Sequence, residues 1–406
     1  MSNISIELDF KPDNYNLLRC LEYNGYFLSQ FLYDKLEDGV NCCISTQNDK
    51  NYIIQLKDFW EKRNINASHF INTFEYYQKN VDSAYRLFLP FVGKKNGKWD
   101  INMINSNTIE INLLFPFKEF KDMLQSRYIV PSDRVFPIAS GRYIISSYAE
   151  ESIVLESKFE DSKLNVYFNA DYERTSIYCA NNIIDVTCPM NCSPKIKNTE
   201  EYIYKNERGS LVYYLYCKNP SLVKCLETCK ERFDKCLREN ISKDFWPINS
   251  FYIDDECKVE YNERANNNKI KRYKGNLFIC YSDYYPNEEM AMLWKEVCAE
   301  IGIEVKLVKI DSFADYLKER KKYDMYIGVT FPQYDNMHSI SMSLVGALGQ
   351  KERYEYAKYL YLNDKRELYK YMQSVNGYIP LAISNFCYYR KRNTNFSISE
   401  YGYITI

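Results

Sequence analysis

Histidine and cysteine are the residue types in this sequence that most often carry acid–base or metal chemistry. The chain has only two histidines, His69 and His338, and 14 cysteines. Two histidines leave little room for a histidine-rich metal site or for histidine-based catalysis. We expect His69 to lie on a helix in a structural or exposed position. His338 is a candidate for contact with a ligand.

Several cysteines cluster in the middle of the chain, where Cys188/Cys192 and Cys225/Cys229 form C-x₃-C pairs. A structural zinc site usually shows C-x₂-C or C-x₄-C spacing with a second pair or histidines. The C-x₃-C-x₂-C pattern of radical iron–sulfur enzymes is also incomplete, because Lys195 follows Cys192 at the third position. Cys225, Cys229 and Cys236 instead fall on one apolar helix face, where cysteine acts as a small hydrophobic residue. We therefore predict no metal and no cofactor.

The composition excludes other classes of protein. The net charge is −1, whereas a nucleic-acid-binding protein usually carries a basic excess. The 40 tyrosines could stack on bases, but half-buried sheets and the rims of a ligand site are the simpler interpretation. The charged stretch Lys318–Lys322 (KERKK) is typical of a solvated helix face.

No apolar run is long enough to span a membrane, so we expect no membrane insertion. The N-terminus MSNISIELDF lacks the basic and apolar regions of a secretory signal. As written, the sequence predicts a cytoplasmic location. The location would be extracytoplasmic if a signal had been removed.

The first half of the chain alternates between strand and helix patterns. Ile4–Phe10, Tyr52–Leu56 and Thr108–Leu114 predict strands. Tyr23–Leu36 and Asn66–Tyr77 predict helices. A short helix is predicted within Phe115–Leu124, and Gly141–Lys158 predicts a β-hairpin. These elements indicate a mixed α+β region.

The second half predicts an α/β region with a parallel sheet. Leu222–Leu237 is an amphipathic helix preceded by Asn219-Pro220, a suitable start. A β-α-β-α-β run follows, and such a run implies parallel strands joined by right-handed crossovers. Its elements are Leu277–Tyr281, Asn287–Ile301, Glu304–Ile310, Ser312–Lys321 and Tyr323–Val329. Further helices are predicted within Tyr354–Met372, and strands in Tyr378–Ala382 and Ser397–Thr405.

Seven stretches, in this order, carry a more specific pattern. They are YFLSQFLYDKLED (Tyr26–Asp38), a strand-then-helix block (Tyr52–Tyr77), NTIEINLLFPFKEFKDML (Asn107–Leu124), PIASGRYIISSYAEESIVLE (Pro137–Glu156), NNIIDVT (Asn181–Thr187), a strand-then-helix block (Leu211–Leu237) and, most clearly, Leu277–Tyr334. Together they resemble the family 5 extracellular solute-binding proteins, the peptide- and nickel-binding class that serves ABC importers. The resemblance runs from Ile4 to Ile398.

The resemblance implies an α/β, two-lobed clamshell of the type 2 periplasmic-binding-protein class, with an inserted α+β subdomain in lobe I. Lobe I would comprise residues 1–42, 127–255 and 377–406, the inserted subdomain 43–126, and lobe II 256–376. The resemblance further implies non-catalytic binding of a peptide, peptide-like or other small polar solute in a cleft between the lobes. Hinge closure would follow binding.

The resemblance suggests these candidate ligand contacts: Glu22, Tyr23, Asn24, Tyr213, Tyr214, Val329, Thr330, Phe331, Gln333 and Asp335. Tyr216 lies on the same strand as the two central tyrosines. The family's G-W-x-x-D-Y stretch, whose carboxylate receives a peptide amine, is replaced by GVTFPQY from Gly328. Asp335 is close to the position of that aspartate but is not the aligned residue.

Three interpretations of function remain open. The first is a monomeric solute-binding protein, with an ABC permease as its partner. The second is a cytoplasmic ligand sensor or assembly factor that kept the solute-binding scaffold and acts on another protein. The third is an enzyme that uses Asp335 or a cysteine, and it is the least favoured.

Overall fold

A computed structural model describes residues 3–12, 15–20, 22–80, 91–190, 200–241, 245–248, 250–251, 276–283, 286–332, 339–345, 350–373, 377–399 and 401–406. The chain divides into two compact units. Unit 1 comprises Met1–Arg208, Pro332–Asn363 and Phe386–Ile406, and unit 2 comprises Gly209–Phe331 and Asp364–Asn385. Contacts within each unit define this division, and they do not test the lobe bounds predicted above. Those bounds remain a prediction.

The strands are β1 Ile4–Leu8, β2 Cys42–Gln47, β3 Asn51–Leu56, β4 Lys94–Lys95, β5 Lys98–Trp99, β6 Ile101–Asn105, β7 Thr108–Asn112, β8 Ser132–Asp133, β9 Phe136–Pro137, β10 Tyr143–Tyr148, β11 Ser152–Ser157, β12 Lys163–Phe168, β13 Tyr202–Cys217, β14 Phe245–Pro247, β15 Leu277–Ser282, β16 Val305–Ile310, β17 Met325–Thr330, β18 Tyr378–Lys391, β19 Ser397–Ile398 and β20 Ile404–Thr405. The helices are α1 Tyr23–Leu32, α2 Asp58–Glu61, α3 Ala67–Lys79, α4 Phe120–Leu124, α5 Tyr172–Ala180, α6 Pro220–Asn240, α7 Asn287–Glu300, α8 Phe313–Glu319, α9 Ser339–Val345, α10 Gln350–Tyr361 and α11 Lys365–Gln373, and a 3₁₀ turn covers Arg320–Lys322.

Unit 1 contains a four-stranded sheet in the order β1-β12-β11-β10. β1 runs parallel to β12, and the predicted hairpin is confirmed as the antiparallel pair β10–β11. Ile6 and Leu8 of β1 and Leu164 and Val166 of β12 are fully buried. These side chains alternate along their strands, as expected for the face that packs against the core.

A second four-stranded sheet of unit 1 has the order β2-β3-β7-β6, and α3 packs on it. The start of α3 is fixed by a capping box. The Asn66 side chain accepts a hydrogen bond from the backbone N–H of Ser68, and Nδ1 of His69 accepts one from the backbone N–H of Asn66. The helix position predicted for His69 is thereby confirmed, and its role is to satisfy a backbone donor at the helix start.

Unit 2 is built on a six-stranded sheet in the order β14-β18-β13-β17-β15-β16. β15 pairs in parallel with both β16 and β17, which confirms the predicted β-α-β-α-β run. Helices α6 and α7 pack together, and α7 lies on β15, β16 and β17. Leu222, Leu226, Cys229, Phe233 and Leu237 of α6 are buried, whereas Cys225 and Cys236 are half-buried. The helical spacing thus predicts the buried face of α6 correctly at Leu222, Leu226, Cys229, Phe233 and Leu237, whereas the core position predicted for Cys225 and Cys236 is only partly confirmed.

Several predicted element bounds are wrong. α1 ends at Leu32 rather than at Leu36, because Tyr33 is already extended at φ −133°. β13 begins at Tyr202 rather than at Leu211, and β18 continues to Lys391 rather than stopping at Ala382. At the start of β13, polar side chains hide the continuing backbone pairing from a pattern based on hydrophobicity.

None of the helices in the described part of the chain combines the length and the apolar character needed to cross a bilayer.

Candidate functional site

The residues predicted to contact a ligand fall in both units, and each unit has its own arrangement. In unit 1, Glu22 precedes α1 and Tyr23 and Asn24 begin it. All three side chains are buried. Nδ2 of Asn24 donates to Oδ1 of Asp9 and to the carbonyl of Phe10, each at 2.7 Å. Asn24 therefore connects the start of α1 to the segment that follows β1.

Two carboxyl groups in and just after β1, Glu7 and Asp9, have perturbed pKa values. Burial raises the pKa of Asp9, although the hydrogen bond from Asn24 opposes the shift. Burial also raises the pKa of Glu7, which accepts hydrogen bonds from Asn169 Nδ2 at 2.7 Å and Thr175 Oγ1 at 2.8 Å. Because these partners are neutral, they stabilise the carboxylate less than a cation would.

Glu7 should make the stability of the protein depend on pH. A raised pKa in the folded state contributes stability below the ordinary value of 4.5, and that contribution is lost as the pH rises through the folded pKa. We expect the free energy of unfolding to fall with rising pH in this range, by about 1.4 kcal/mol for each unit of pKa shift. In Glu7→Gln this fall should be smaller, and the other carboxyls whose pKa burial raises, among them Asp9, Asp34 and Glu119, should account for the remainder. Urea unfolding at a series of pH values measures it.

The matched control is Glu151→Gln, which removes an exposed carboxyl whose pKa is lowered by its hydrogen bond to Arg174. This variant should keep the fall in stability between pH 4.5 and neutrality. Parallel pH profiles for wild type and Glu7→Gln would show that Glu7 is not the source of the effect.

In unit 2, the register of β13 and β17 sorts the predicted contacts by face. Tyr213 lies opposite Val329, and Tyr214 lies opposite Gly328. Successive side chains of a strand point to opposite faces, and residues directly opposite each other share a face. Tyr213 and Val329 therefore lie on one face of the sheet. Tyr214 lies on the other face with Thr330, which is opposite Val212.

The face that carries Tyr214 is covered by aromatic rings. We call Tyr214, Tyr216, Tyr326 and Tyr378 the tyrosine face. Tyr216 stacks on Tyr326 with ring centroids 4.8 Å apart, and Tyr378 lies 5.0 Å from Tyr216 and 5.4 Å from Tyr214. Burial raises the pKa of Tyr326 and of Tyr378, so both hydroxyls are neutral at pH 7. Tyr216 and Tyr378 are half-buried, and their rings and hydroxyls can contact a solute.

Glycine at position 328 makes room for the ring of Tyr214. A Cβ at this position would lie 2.4 Å from Cζ of Tyr214, far inside van der Waals contact. The ring cannot easily move away, because the rings of Phe251, Tyr326 and Tyr378 surround it. We expect Gly328→Ala to lower the free energy of unfolding by about 1–3 kcal/mol, as overpacking typically does. Urea unfolding measures the change.

A double-mutant cycle identifies the cause of this loss. Tyr214→Leu removes the ring atoms that a Cβ at position 328 would meet. In that background Gly328→Ala should cost much less than in the wild type. An equal cost in both backgrounds would mean that Tyr214 is not the reason for glycine at this position.

The sequence pattern missed one charged residue of unit 2. Lys318–Lys322 was predicted to form a solvated helix face, and Lys318 and Lys322 do have exposed side chains. Arg320, however, is half-buried, and its guanidinium carbon lies 4.8 Å from the ring centroid of Tyr326. Interpreting the whole stretch as solvated is therefore wrong at Arg320. The lysines and glutamate next to Arg320 in the sequence give no indication that its side chain packs against a tyrosine ring.

Unit 1 also contains a cavity of about 770 Å³, which none of the predicted contact residues lines. Its charged groups are largely paired with each other or with backbone. Nζ of Lys391 lies 2.8 Å from Oδ1 of Asp185, and Nε of Arg392 donates to the carbonyl of Glu200. The cavity therefore offers few uncommitted charges to a ligand.

Phe331 is buried at the end of the β17 segment. Gln333, Asp335 and His338 lie outside the described residues, as does Cys192. In the described ranges, no three cysteine, histidine or acidic side chains converge on a position where they could hold a metal ion. Burial raises the pKa of Cys217 to about 11 and that of Cys298 to about 12, so these thiols stay protonated at neutral pH.

The chain has an α/β fold similar to that of periplasmic binding proteins, and the predicted fold class is confirmed. The chain has the fold of the family 5 solute-binding proteins along nearly its whole length. No protein-family model matches the sequence, and no curated protein matches it either.

Three solved structures illustrate the similarity. The murein tripeptide binding protein MppA of Escherichia coli is 11% identical, with a TM-score of 0.75 over 96% of this chain and 94% of that one. A dipeptide binding protein from Pseudoalteromonas sp. SM9913, in complex with Met-Leu, is 13% identical, with a TM-score of 0.75 over 100% and 99%. NikA from Staphylococcus aureus, in complex with Ni(L-His)2, is 16% identical, with a TM-score of 0.69 over 98% and 97%.

Proposed function

We propose that this protein binds a peptide, a peptide-like compound or another small polar solute, and that it does so without catalysis. The observation that carries the proposal is the fold, which is similar over 96–100% of the chain to proteins named for binding tripeptides, dipeptides and a nickel–histidine complex. An ABC permease as partner and a monomeric state belong to the same proposal.

The tyrosine face supports this proposal on chemical grounds. Ligand sites are typically apolar and aromatic surfaces with a few polar groups that fix the ligand's orientation. Tyr216 and Tyr378 supply rigid rings with hydroxyls at their ends, and their positions are fixed by packing against Tyr214 and Tyr326. Such a surface suits an organic solute with both apolar and polar parts.

A thermal-shift screen of the purified full chain tests the proposal. The probes are the dipeptide Met-Leu, a pool of tripeptides, Ni(L-His)2 and a set of small polar solutes. A ligand at 100 times its Kd should stabilise the folded state by about 2.7 kcal/mol and raise Tm by several degrees. The D-amino-acid versions of the same peptides are the control, because a specific site should discriminate against them.

The pattern of responses decides between the ligand classes. A rise with L-peptides alone supports a peptide ligand, and a rise with Ni(L-His)2 alone supports a metal complex. If no probe raises Tm more than the D-peptide control, the proposal of solute binding fails.

A further inference from the structure

Arg320 lies in an unusual setting for a cation. It begins the 3₁₀ turn that follows α8. Its guanidinium carbon is 4.8 Å from the ring centroid of Tyr326 and 5.6 Å from that of Tyr316. Its Nε is buried and makes no hydrogen bond within the described ranges. The side chains of Tyr214, Tyr316 and Tyr326 lie around it, and the Tyr316 side chain is within hydrogen-bonding range of the guanidinium.

Within the described residues, Arg320 lacks the carboxylate partner that several other cations of unit 2 have. No carboxylate of the residues that the structure describes lies within ion-pair distance of it. Glu319, its neighbour in sequence, pairs instead with Lys322 at 3.2 Å. Other cations of unit 2 have carboxylate partners: Lys230–Asp234, Arg232–Glu300, Lys309–Asp283, Lys318–Asp315 and Lys370–Glu367. Stacking on tyrosine rings offsets part of the cost of half-burying Arg320, but within the described part of the chain it leaves the positive charge without a counter-ion.

Contacts between rings connect Arg320 to the half-buried part of the tyrosine face. Its guanidinium lies over Tyr326, the ring of Tyr326 stacks on Tyr216, and Tyr216 contacts Tyr378. Of these residues Arg320, Tyr216 and Tyr378 are half-buried. A cation therefore stands at one side of an aromatic surface, and the two together can receive a molecule with an acidic group on an apolar body.

We propose that Arg320 binds a carboxylate of the ligand, whose apolar part packs on Tyr216 and Tyr378. A guanidinium presents its N–H groups as a planar fork that matches the two oxygens of a carboxylate. The proposal rests on the proposed function and narrows it: the solute carries at least one free carboxylate. It also assigns a role to a residue outside the predicted contacts.

The test compares ligands that differ only in this charge. The tightest tripeptide of the screen is titrated into the full chain with a free C-terminus and as its C-terminal amide. N-acetyl-tyrosine and N-acetyl-tyrosinamide form a second pair that does not depend on peptide binding. Arg320→Gln removes the cation and Arg320→Lys keeps the charge without the fork. Arg232→Gln, in an exposed ion pair of α6, is the control.

For wild type and Arg232→Gln, the free acid should bind roughly 10-fold to 100-fold more tightly than the amide, the range expected for a hydrogen bond to a charged group. Arg320→Gln should abolish this preference and leave the affinity for the amide unchanged. Arg320→Lys should retain part of the preference. Circular dichroism of each variant verifies that it is folded. If Arg320→Gln does not fold, Arg320→Lys still tests the role of the guanidinium.

The outcomes separate this proposal from the proposed function. Peptide binding with equal affinity for acid and amide, or a preference that survives in Arg320→Gln, overturns the carboxylate site but leaves solute binding intact. An Arg320-dependent response to N-acetyl-tyrosine without peptide binding supports the carboxylate site alone. If neither pair of ligands gives a response, the carboxylate site is overturned as well.

Discussion

Asp234→Ala should destabilise the protein by about 3–5 kcal/mol, because it removes the counter-ion of a buried lysine. Asp234 and Lys230 lie one turn apart on α6 and form an ion pair, with side-chain exposures of 3% and 12%. Burial lowers the pKa of Lys230, and the charge of Asp234 opposes that shift. The carbonyl of Leu381, 3.5 Å away, cannot replace the carboxylate. The free energy of unfolding, measured in urea, gives the loss.

Two controls show that burial is the reason for this loss. Glu75 and Lys79 form a pair with the same spacing on α3, but their side chains are 54% and 73% exposed. Glu75→Ala should therefore cost no more than about 0.5 kcal/mol. Replacing both buried partners, as Lys230→Met with Asp234→Leu, should recover most of the stability. If Asp234→Ala lowers the free energy of unfolding no more than Glu75→Ala does, the Lys230–Asp234 pair does not behave as a buried ion pair.

Trp294→Ala should destabilise unit 2 by about 3–5 kcal/mol, the usual cost of removing a large core aromatic side chain. Trp294 of α7 is fully buried, and its ring stacks on Phe233 of α6 with centroids 4.7 Å apart. These two rings join the helices that pack behind the unit 2 sheet. Their loss should also loosen the tyrosine face, and urea unfolding combined with near-UV circular dichroism detects both effects.

Trp294→Phe is the informative control. The indole Nε1–H of Trp294 is buried and meets no acceptor within the described residues. Phenylalanine keeps a ring against Phe233 and removes this unsatisfied donor, which offsets part of the lost packing. We expect Trp294→Phe to cost clearly less than Trp294→Ala. Equal costs would contradict the assignment of stability to ring packing.

The sequence predicted the elements whose hydrophobic spacing is regular. The buried face of α6 and the parallel strands β15, β16 and β17 were predicted because an amphipathic helical period and a β-α-β order are visible in the hydrophobic pattern of this sequence. Long strands such as β13 were shortened, since their polar ends carry no alternating pattern.

The site was harder to predict, because side-chain direction depends on register and tertiary packing. Tyr213 and Tyr214 are adjacent in sequence and were predicted together, yet the pairing of β13 with β17 places them on opposite faces. Arg320 was hidden among exposed charges, and only the packing of Tyr316 and Tyr326 around it distinguishes it. A contact role for the predicted residues stays a prediction.

Isothermal titration calorimetry of the purified full chain with its tightest probe measures directly whether the protein binds a solute without catalysis. We expect saturable binding of one ligand per chain, with a negative heat-capacity change as apolar surface is buried. Mass spectrometry of the recovered ligand should show an unchanged mass. Chemical turnover of the ligand, or the absence of saturable heat with every peptide, nickel–histidine complex and polar solute tested, would contradict this expectation.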